Sequence, residues 1–159
     1  MTKFAFYKSE YGVLKIGYEC NFVVLIKVVT ECDCENEPNC LTEKVFTQLQ
    51  EYFNKERITF DLPLKLKGTP FQVKVWNELM KIPCGETRTY KEIAENIGNP
   101  NAARAVGSAS HSNPLWIVVP CHRVVGKDGR LTGYAGGLTM KELLLKNEKK
   151  IKNNTLVSA

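Results

Sequence analysis

Residues 89–110 read Thr-Tyr-Lys-Glu-Ile-Ala-Glu-Asn-Ile-Gly-Asn-Pro-Asn-Ala-Ala-Arg-Ala-Val-Gly-Ser-Ala-Ser, and they indicate the architecture of this part of the chain. Thr89 and Glu92 have the spacing of a capping box, which predicts a short helix that Gly98 ends. After a tight turn, Asn101 is placed to cap a second helix running to about Ser110. Two helices joined by so short a turn predict a helix-turn-helix unit.

The predicted second helix has an unusual composition. Its only long polar side chain is Arg104, which stands among the small residues Ala102, Ala103, Gly107 and Ser110. A helix that reads base edges in the major groove usually carries several long polar side chains. Small side chains instead let the helix backbone approach a narrow groove, or they pack closely against another helix. The sequence leaves both interpretations open.

Length and composition limit the class of protein. The chain has 159 residues and a mass of 18.0 kDa, which suits one domain or two small ones. With 43% hydrophobic and 25% charged residues, it is neither disordered, collagen-like nor a coiled coil. No apolar stretch approaches the ~20 residues of a membrane span, and the N-terminus shows no apolar signal core. We therefore expect a soluble, intracellular protein.

The first part of the chain is predicted to be an α/β domain over residues 1–65. Apolar and β-branched runs predict strands at 4–7, 13–16 and 22–29. Thr42 is placed to cap a helix from about 43 to 54.

A linker and a second domain are predicted to follow. Two prolines and a glycine over 61–70 indicate the linker, and an apolar period predicts a helix from Phe71 to about Lys81. The second domain is predicted over 66–150, with a flexible tail over 151–159.

Charge is unevenly distributed between the two halves. Residues 1–70 carry 9 Lys and Arg against 10 Asp and Glu, whereas residues 71–159 carry 13 against 7. A basic second half suggests an anionic partner, although a solvated basic surface has the same composition.

Residues 115–125 contain the most reactive combination of side chains. They read Leu-Trp-Ile-Val-Val-Pro-Cys-His-Arg-Val-Val, which predicts a buried strand ending at Cys121. A cysteine beside His122 and Arg123 is a candidate nucleophile, because the thiolate is the reactive form and nearby cations favour it. We therefore expect the pKa of Cys121 to lie below the free value of about 8.5. The alternative is a buried structural cysteine.

Several motifs together carry a resemblance to a known family. Pro120–Val124, Arg104–Gly107, Ser112–Pro114 and Tyr134–Gly137 resemble the methylated-DNA–protein-cysteine methyltransferases, also called O6-alkylguanine-DNA alkyltransferases. The resemblance covers about Gly68 to Glu148 and implies a ribonuclease H-like α/β domain, with a small antiparallel sheet plus a helix, before a mainly α winged-helix-type DNA-binding domain.

The resemblance also implies an activity. The protein would repair double-stranded DNA by transferring an alkyl group from O6 of guanine, and less well from O4 of thymine, to Cys121. Transfer would be irreversible and occur once per molecule, with no cofactor and no metal among the site residues. The protein would be a monomer in the cytoplasm, nucleoid-associated in a prokaryote and nuclear in a eukaryote.

Roles for individual residues follow from the resemblance alone. Cys121 would accept the alkyl group, His122 would take the thiol proton through a water, and Glu148 would orient His122. Asn113 would order the turn that carries the site. Tyr90 would help to rotate the nucleotide and could protonate the departing purine.

The resemblance implies two further sets of residues. Arg104 would fill the gap left in the base stack, and the rest of the DNA-binding surface would be Ala102, Ala103, Gly107, Ser110 and Arg123. The substrate pocket would be formed by Tyr134, Ala135, Trp116, Val124 and Lys141.

Some positions depart from the family pattern. Ala135 replaces a frequent hydroxyl residue, Trp116 is large where smaller residues occur, and Cys84 stands where an aromatic residue is more usual. Four further cysteines are either free thiols or ligands of a metal site: Cys20, Cys32, Cys34 and Cys40. Two other functions stay open: a non-catalytic module that recognises alkylated DNA, and a Cys-His hydrolase.

Overall fold

The computed structural model describes the backbone of residues 1–158 and the side chains of residues 1–152. The chain divides into two compact units. The first contains Met1–Lys67 and Pro114–Trp116, and the second contains Gly68–Asn113 and the chain from Ile117 onward.

The first unit is built on a three-stranded antiparallel sheet. Its strands are β1 (Lys3–Ser9), β2 (Gly12–Glu19) and β3 (Phe22–Val29), in the order β1-β2-β3. The predicted strands are confirmed and are longer than the sequence indicated. Alternate side chains reach the core, where Leu14, Ile16 and Ile26 are fully buried.

A helix, α1 (Cys40–Phe53), covers this sheet with a face that includes the buried Val45 and Leu49. The predicted start was wrong, because Asn39 and not Thr42 caps the helix. The Asn39 side chain accepts a hydrogen bond from the Thr42 backbone N–H at 2.8 Å, and the Thr42 hydroxyl accepts one from the Asn39 N–H at 2.9 Å. Since either residue can cap a helix, their reciprocal pairing decided the boundary.

The predicted linker at 61–70 is partly a strand-like addition to the sheet. The Val23 N–H donates to the Pro63 carbonyl at 2.8 Å, and the Lys65 N–H donates to the Val23 carbonyl at 3.0 Å. Proline signals predicted a loop here, but the carbonyl of Pro63 remains available to pair with the edge of the sheet.

The second unit is mainly helical. Its helices are α2 (Pro70–Leu79), α3 (Tyr90–Asn96), α4 (Ala103–His111) and α5 (Leu138–Ser158), and two short strands, β4 (Arg88–Thr89) and β5 (Val124–Val125), pair in parallel.

The predicted helix-turn-helix corresponds to α3 and α4. The capping box of Thr89 and Glu92 is present, and Gly98 adopts a φ of +81° directly after the helix. Ala102, without a side-chain cap, precedes α4, so the predicted cap at Asn101 was wrong. Buried Trp76 on α2 donates its indole N–H to the Ala109 carbonyl at 2.9 Å, which ties α2 to α4.

Two other predictions differ from the structure. The expected strand before Cys121 is absent from the described chain, because the backbone turns after Leu115 and Ile117 has a φ of +72°. Helix α5 continues through Ser158, where the sequence predicted a tail from residue 151. Residue 159 lies outside the described residues. No helix within the described chain is long and apolar enough to span a membrane.

Candidate active site

Asn113 fixes the loop that carries Cys121. Its side-chain amide donates to the Val119 carbonyl at 2.8 Å and to Cys121 Sγ at 3.2 Å. Asn113 itself is buried just after α4, and Cys121 begins a short 3-10 helix, Cys121–Arg123. The two amide donors therefore connect the end of the helix-turn-helix to the candidate nucleophile.

The Cys121 thiol is neutral at physiological pH. Only 4% of the residue is exposed, and this burial raises the pKa to about 11, although the Asn113 hydrogen bond and the charge of Lys141 oppose the shift. The expectation of a pKa below 8.5 was wrong, because desolvation outweighs the neighbouring cations. A reaction at Cys121 consequently needs a group that accepts the thiol proton.

His122 is fully buried beside Cys121 and is suited to accept a proton. Burial lowers its pKa, against the opposing effect of Glu148, which keeps the imidazole neutral. Its Nε2 lies 2.6 Å from Glu148 Oε2. Its Nδ1 is buried and has no hydrogen-bonding partner among the atoms of residues 1–152. An imidazole whose Nε2 carries the hydrogen leaves Nδ1 as a basic nitrogen.

Arg123 does not lie on a DNA-binding surface, so that prediction was wrong. The residue is 6% exposed, and its guanidinium donates to Glu148 Oε1 at 2.8 Å and to Glu148 Oε2 at 3.0 Å. Adjacent positions in a 3-10 helix point in different directions, and burying Glu148 without a strong cationic partner would be costly. The sequence alone could not show that Glu148 lies against this arginine.

Lys141, on α5, is also buried and organises the neighbouring chain. Its Nζ donates to the Val124 carbonyl at 2.6 Å and to the Thr132 carbonyl at 2.8 Å. Burial lowers its pKa, while the proximity of Cys121 opposes that change. Tyr134 is buried, and its ring is nearly perpendicular to that of His122, with the two centroids 6.5 Å apart. Lys141, Val124 and Tyr134 thus lie together around Cys121 and His122.

An open groove of about 430 Å³ lies along the helix-turn-helix. Its lining includes the predicted Tyr90, Ala103, Arg104 and Gly107. Tyr90 accepts a hydrogen bond from the Thr132 hydroxyl at 2.9 Å, and a Cβ added to Gly107 would lie 3.7 Å from its ring. Thr132, Gly133 and His111 complete the groove; the sequence analysis did not single them out, although Thr132 and Gly133 directly precede the Tyr134 motif.

The remaining predicted residues have different positions. Ser110 is buried, and its hydroxyl finds no hydrogen-bonding partner within the described side chains, so the expected DNA-facing position was wrong. Ser110 lies next to the buried Ala109, on the side of α4 that faces the core. Ala102 is partly buried before α4, and Ala135 is exposed in a turn. Trp116 belongs to the first unit, where its backbone N–H donates to the Ile26 carbonyl.

The other cysteines do not form a metal centre in the described part of the chain. Cys20, Cys32, Cys34 and Cys40 are exposed free thiols, and Cys84 is partly buried with a pKa that burial raises to about 11. Within residues 1–152, no three His, Cys, Asp or Glu side chains are placed to hold a metal ion.

Comparison with known proteins gives two domain matches. Residues 70–150 match the DNA-binding domain of 6-O-methylguanine DNA methyltransferase, and residues 2–66 match the ribonuclease-like domain of the same family. The chain belongs to the 6-O-methylguanine DNA methyltransferase family. Its two parts therefore have the ribonuclease-like and DNA-binding folds of that family.

Individual relatives support this assignment. The methylated-DNA–protein-cysteine methyltransferase of Methanosarcina acetivorans is 61% identical over 101 residues, which are 64% of this chain and 65% of that protein. The crystal structure of the O6-methylguanine methyltransferase of Mycobacterium tuberculosis is 41% identical, with a TM-score of 0.86 and 94% of each chain covered. The same mycobacterial protein in complex with DNA also gives a TM-score of 0.86 at 41% identity, covering 93% of each chain.

The raised pKa of Cys121 predicts its reactivity toward iodoacetamide. Because the thiolate fraction falls about tenfold for each pH unit below the pKa, the alkylation rate should rise about tenfold per unit from pH 7 to pH 10. Peptide mass spectrometry can follow Cys121 separately from the other cysteines, with Cys121→Ser identifying the peptide. A rate that is constant between pH 7 and pH 9 would mean that Cys121 is already a thiolate.

Proposed function

We propose that this protein repairs double-stranded DNA by transferring an alkyl group from O6 of guanine to Cys121. The observation that carries the proposal is the buried Cys121 thiol, which Asn113 holds beside the His122–Glu148 pair. This arrangement occurs in the unit that matches a DNA-binding domain. In this proposal the neutral Cys121 thiol is the nucleophile, and the adjacent His122 supplies a basic nitrogen.

The chemistry balances without a cofactor. The thiol proton passes to His122 Nδ1, through a water, as Cys121 Sγ forms a bond to the alkyl carbon. The bond between that carbon and O6 breaks, and its electron pair stays with the purine. The purine then takes up a proton on its ring, with the Tyr90 hydroxyl as the candidate donor, and leaves as guanine.

The product explains why each molecule would act once. A thioether on Cys121 is not displaced by water, so the alkyl group would stay on the sulfur. We propose the same route, at lower efficiency, for O4-alkylthymine. The protein would act as a monomer, in the compartment that contains the DNA.

The helix-turn-helix would make the damaged base accessible. The O6 alkyl group lies inside the duplex, so the nucleotide has to rotate out of the stack before Cys121 can reach it. The open groove beside α4 is lined by Ala103 and Gly107 and by the exposed Arg104. The small residues Ala103 and Gly107 allow DNA to approach the helix backbone closely. A cation of this length can enter the vacated stack and offset the cost of unstacking.

Intact-mass and peptide mass spectrometry test the proposed reaction. After mixing with a duplex that contains one O6-methylguanine, the protein should gain one methyl group, located on Cys121. Cys121→Ser should bind the same duplex and gain none. Binding without a methyl adduct on the wild-type protein would indicate a recognition module, and repeated release of a free product would indicate a hydrolase.

Arg104→Ala should separate nucleotide rotation from chemistry. We expect repair of methylguanine in a duplex to slow by roughly 10- to 100-fold, the kinetic equivalent of a few kcal/mol of unstacking. Transfer from free O6-benzylguanine should hardly change, because no base stack has to be held open. Single-turnover rates with both substrates provide the measurement, and Lys91→Ala, which removes an exposed cation on α3, is the control.

Equal slowing with the duplex and with the free purine would contradict this role for Arg104. It would mean that the arginine supports the fold or the pocket.

A further inference from the structure

The buried Arg123 has no part in the chemistry described above, yet three hydrogen bonds hold its guanidinium. Its Nε and Nη2 form a fork on the two oxygens of Glu148, at 2.8 and 3.0 Å. Its Nη1 donates to the Ile82 carbonyl at 2.7 Å, in the turn that follows α2. The guanidinium is therefore anchored to the backbone after α2 as well as to Glu148.

Glu148 would not remain a carboxylate at this position without strong donors. Burial alone raises the pKa of the group, but the hydrogen bonds from His122 and Arg123, together with the positive charge of Arg123, outweigh that effect and lower the pKa well below its usual value. His122 is neutral, so Arg123 is the permanently charged partner. Removing one partner of a buried pair leaves the other uncompensated, and a carboxylate in that situation takes up a proton.

The protonation state of Glu148 decides which nitrogen of His122 carries hydrogen. An ionised carboxylate can only accept, so the 2.6 Å contact requires His122 Nε2 to donate. Nδ1 is then the unprotonated nitrogen. A protonated Glu148 could donate to Nε2 instead, and the imidazole hydrogen would move to Nδ1, where it would block proton acceptance from Cys121.

We propose that Arg123 is a positioning residue that keeps Glu148 a hydrogen-bond acceptor and thereby fixes the His122 tautomer in which Nδ1 is the base. The inference rests on the proposed function, since it concerns the group that would take the Cys121 proton. In this role Arg123 acts through Glu148 and His122.

Other ionisable groups surround this cluster. Burial raises the pKa values of Cys84, in the turn after α2, and of Tyr134, before α5, and the negative charge of Glu148 adds to both shifts. The buried cation of Lys141 faces His122 from α5. Lys141 is already held by two backbone carbonyls, so it is not available to replace the Arg123 fork.

The first test is to observe the His122 tautomer directly in the full chain. The protein has only two histidines, so ¹⁵N-histidine labelling gives few signals, and His111 serves as an internal reference. In the wild-type protein, Nε2 of His122 should carry the hydrogen. In Arg123→Gln the hydrogen should move to Nδ1 at pH 6 to 7. Arg123→Lys keeps a charge near Glu148 and should retain the wild-type tautomer.

The second test is the pH dependence of transfer from a free O6-alkylguanine. Below the raised pKa of Glu148 in Arg123→Gln, the carboxyl is protonated and the base is blocked, so the rate relative to wild type should fall by about 100-fold, the lower end of a general base's contribution. As pH rises through that pKa the carboxylate returns, and the ratio should approach one. Arg123→Lys should show a smaller loss.

A matched control lies in the first unit. Arg57 also donates to a glutamate, Glu51, at 3.0 Å and to a backbone carbonyl, that of Thr59, at 3.0 Å. Arg57→Gln should leave the His122 signals and the rate ratio unchanged at every pH.

A double variant covers the case in which Arg123→Gln does not fold. Glu148→Gln combined with Arg123→Gln removes both buried charges of the pair. The amide that replaces the Glu148 carboxyl cannot titrate. Compared with Glu148→Gln alone, the double variant should show a rate ratio that does not change with pH.

The outcomes separate this inference from the proposed function. If wild type transfers the alkyl group but Arg123→Gln keeps both the wild-type tautomer and a pH-independent rate ratio, the positioning role is wrong. If wild type transfers nothing to Cys121, the proposed function is wrong, while the tautomer measurement still reports on Arg123.

Discussion

The carboxylate of Glu148 is the group on which the candidate active site depends. It is fully buried on α5, and donors from Arg123 and His122 compensate its charge. Through Arg123, which also binds the Ile82 carbonyl, this one carboxylate connects α5, the 3-10 helix at Cys121 and the turn after α2. A buried pair of this kind contributes little net stability compared with apolar packing, but breaking it is costly. We interpret it as a device that holds a proton acceptor in one orientation.

Burial also determines the protonation state of the candidate nucleophile. Cys121 is kept as a thiol with a pKa of about 11, and Asn113 directs a donor at its sulfur. A neutral, covered thiol reacts slowly with adventitious electrophiles, which suits a residue that could be used only once. Activation is then coupled to His122, whose neutral imidazole can accept the proton when an alkylated purine is in place. This arrangement differs from a cysteine that adjacent cations keep permanently ionised.

Local signals in the sequence predicted the elements that depend on neighbouring residues. The capping box at Thr89 and the stop at Gly98 located the helix-turn-helix, because both act within a few residues of the backbone that they cap. Burial and contacts between residues far apart in the sequence were harder to predict. Arg123 and Ser110 were predicted to face DNA, yet one pairs with a residue 25 positions away and the other points inward. The low pKa expected for Cys121 failed for the same reason, since desolvation depends on the packed structure.

The ionisation state of Glu148 is the most direct test of this account. Infrared difference spectra between wild-type protein and Glu148→Gln, recorded from pH 5 to pH 8, report whether the carboxyl carries a proton. We expect the difference to contain the bands of an ionised carboxylate across the whole range, with no carbonyl band of a protonated acid. A protonated-acid band at neutral pH would contradict the account, because a protonated Glu148 could donate to His122 Nε2 and the imidazole hydrogen would then lie on Nδ1.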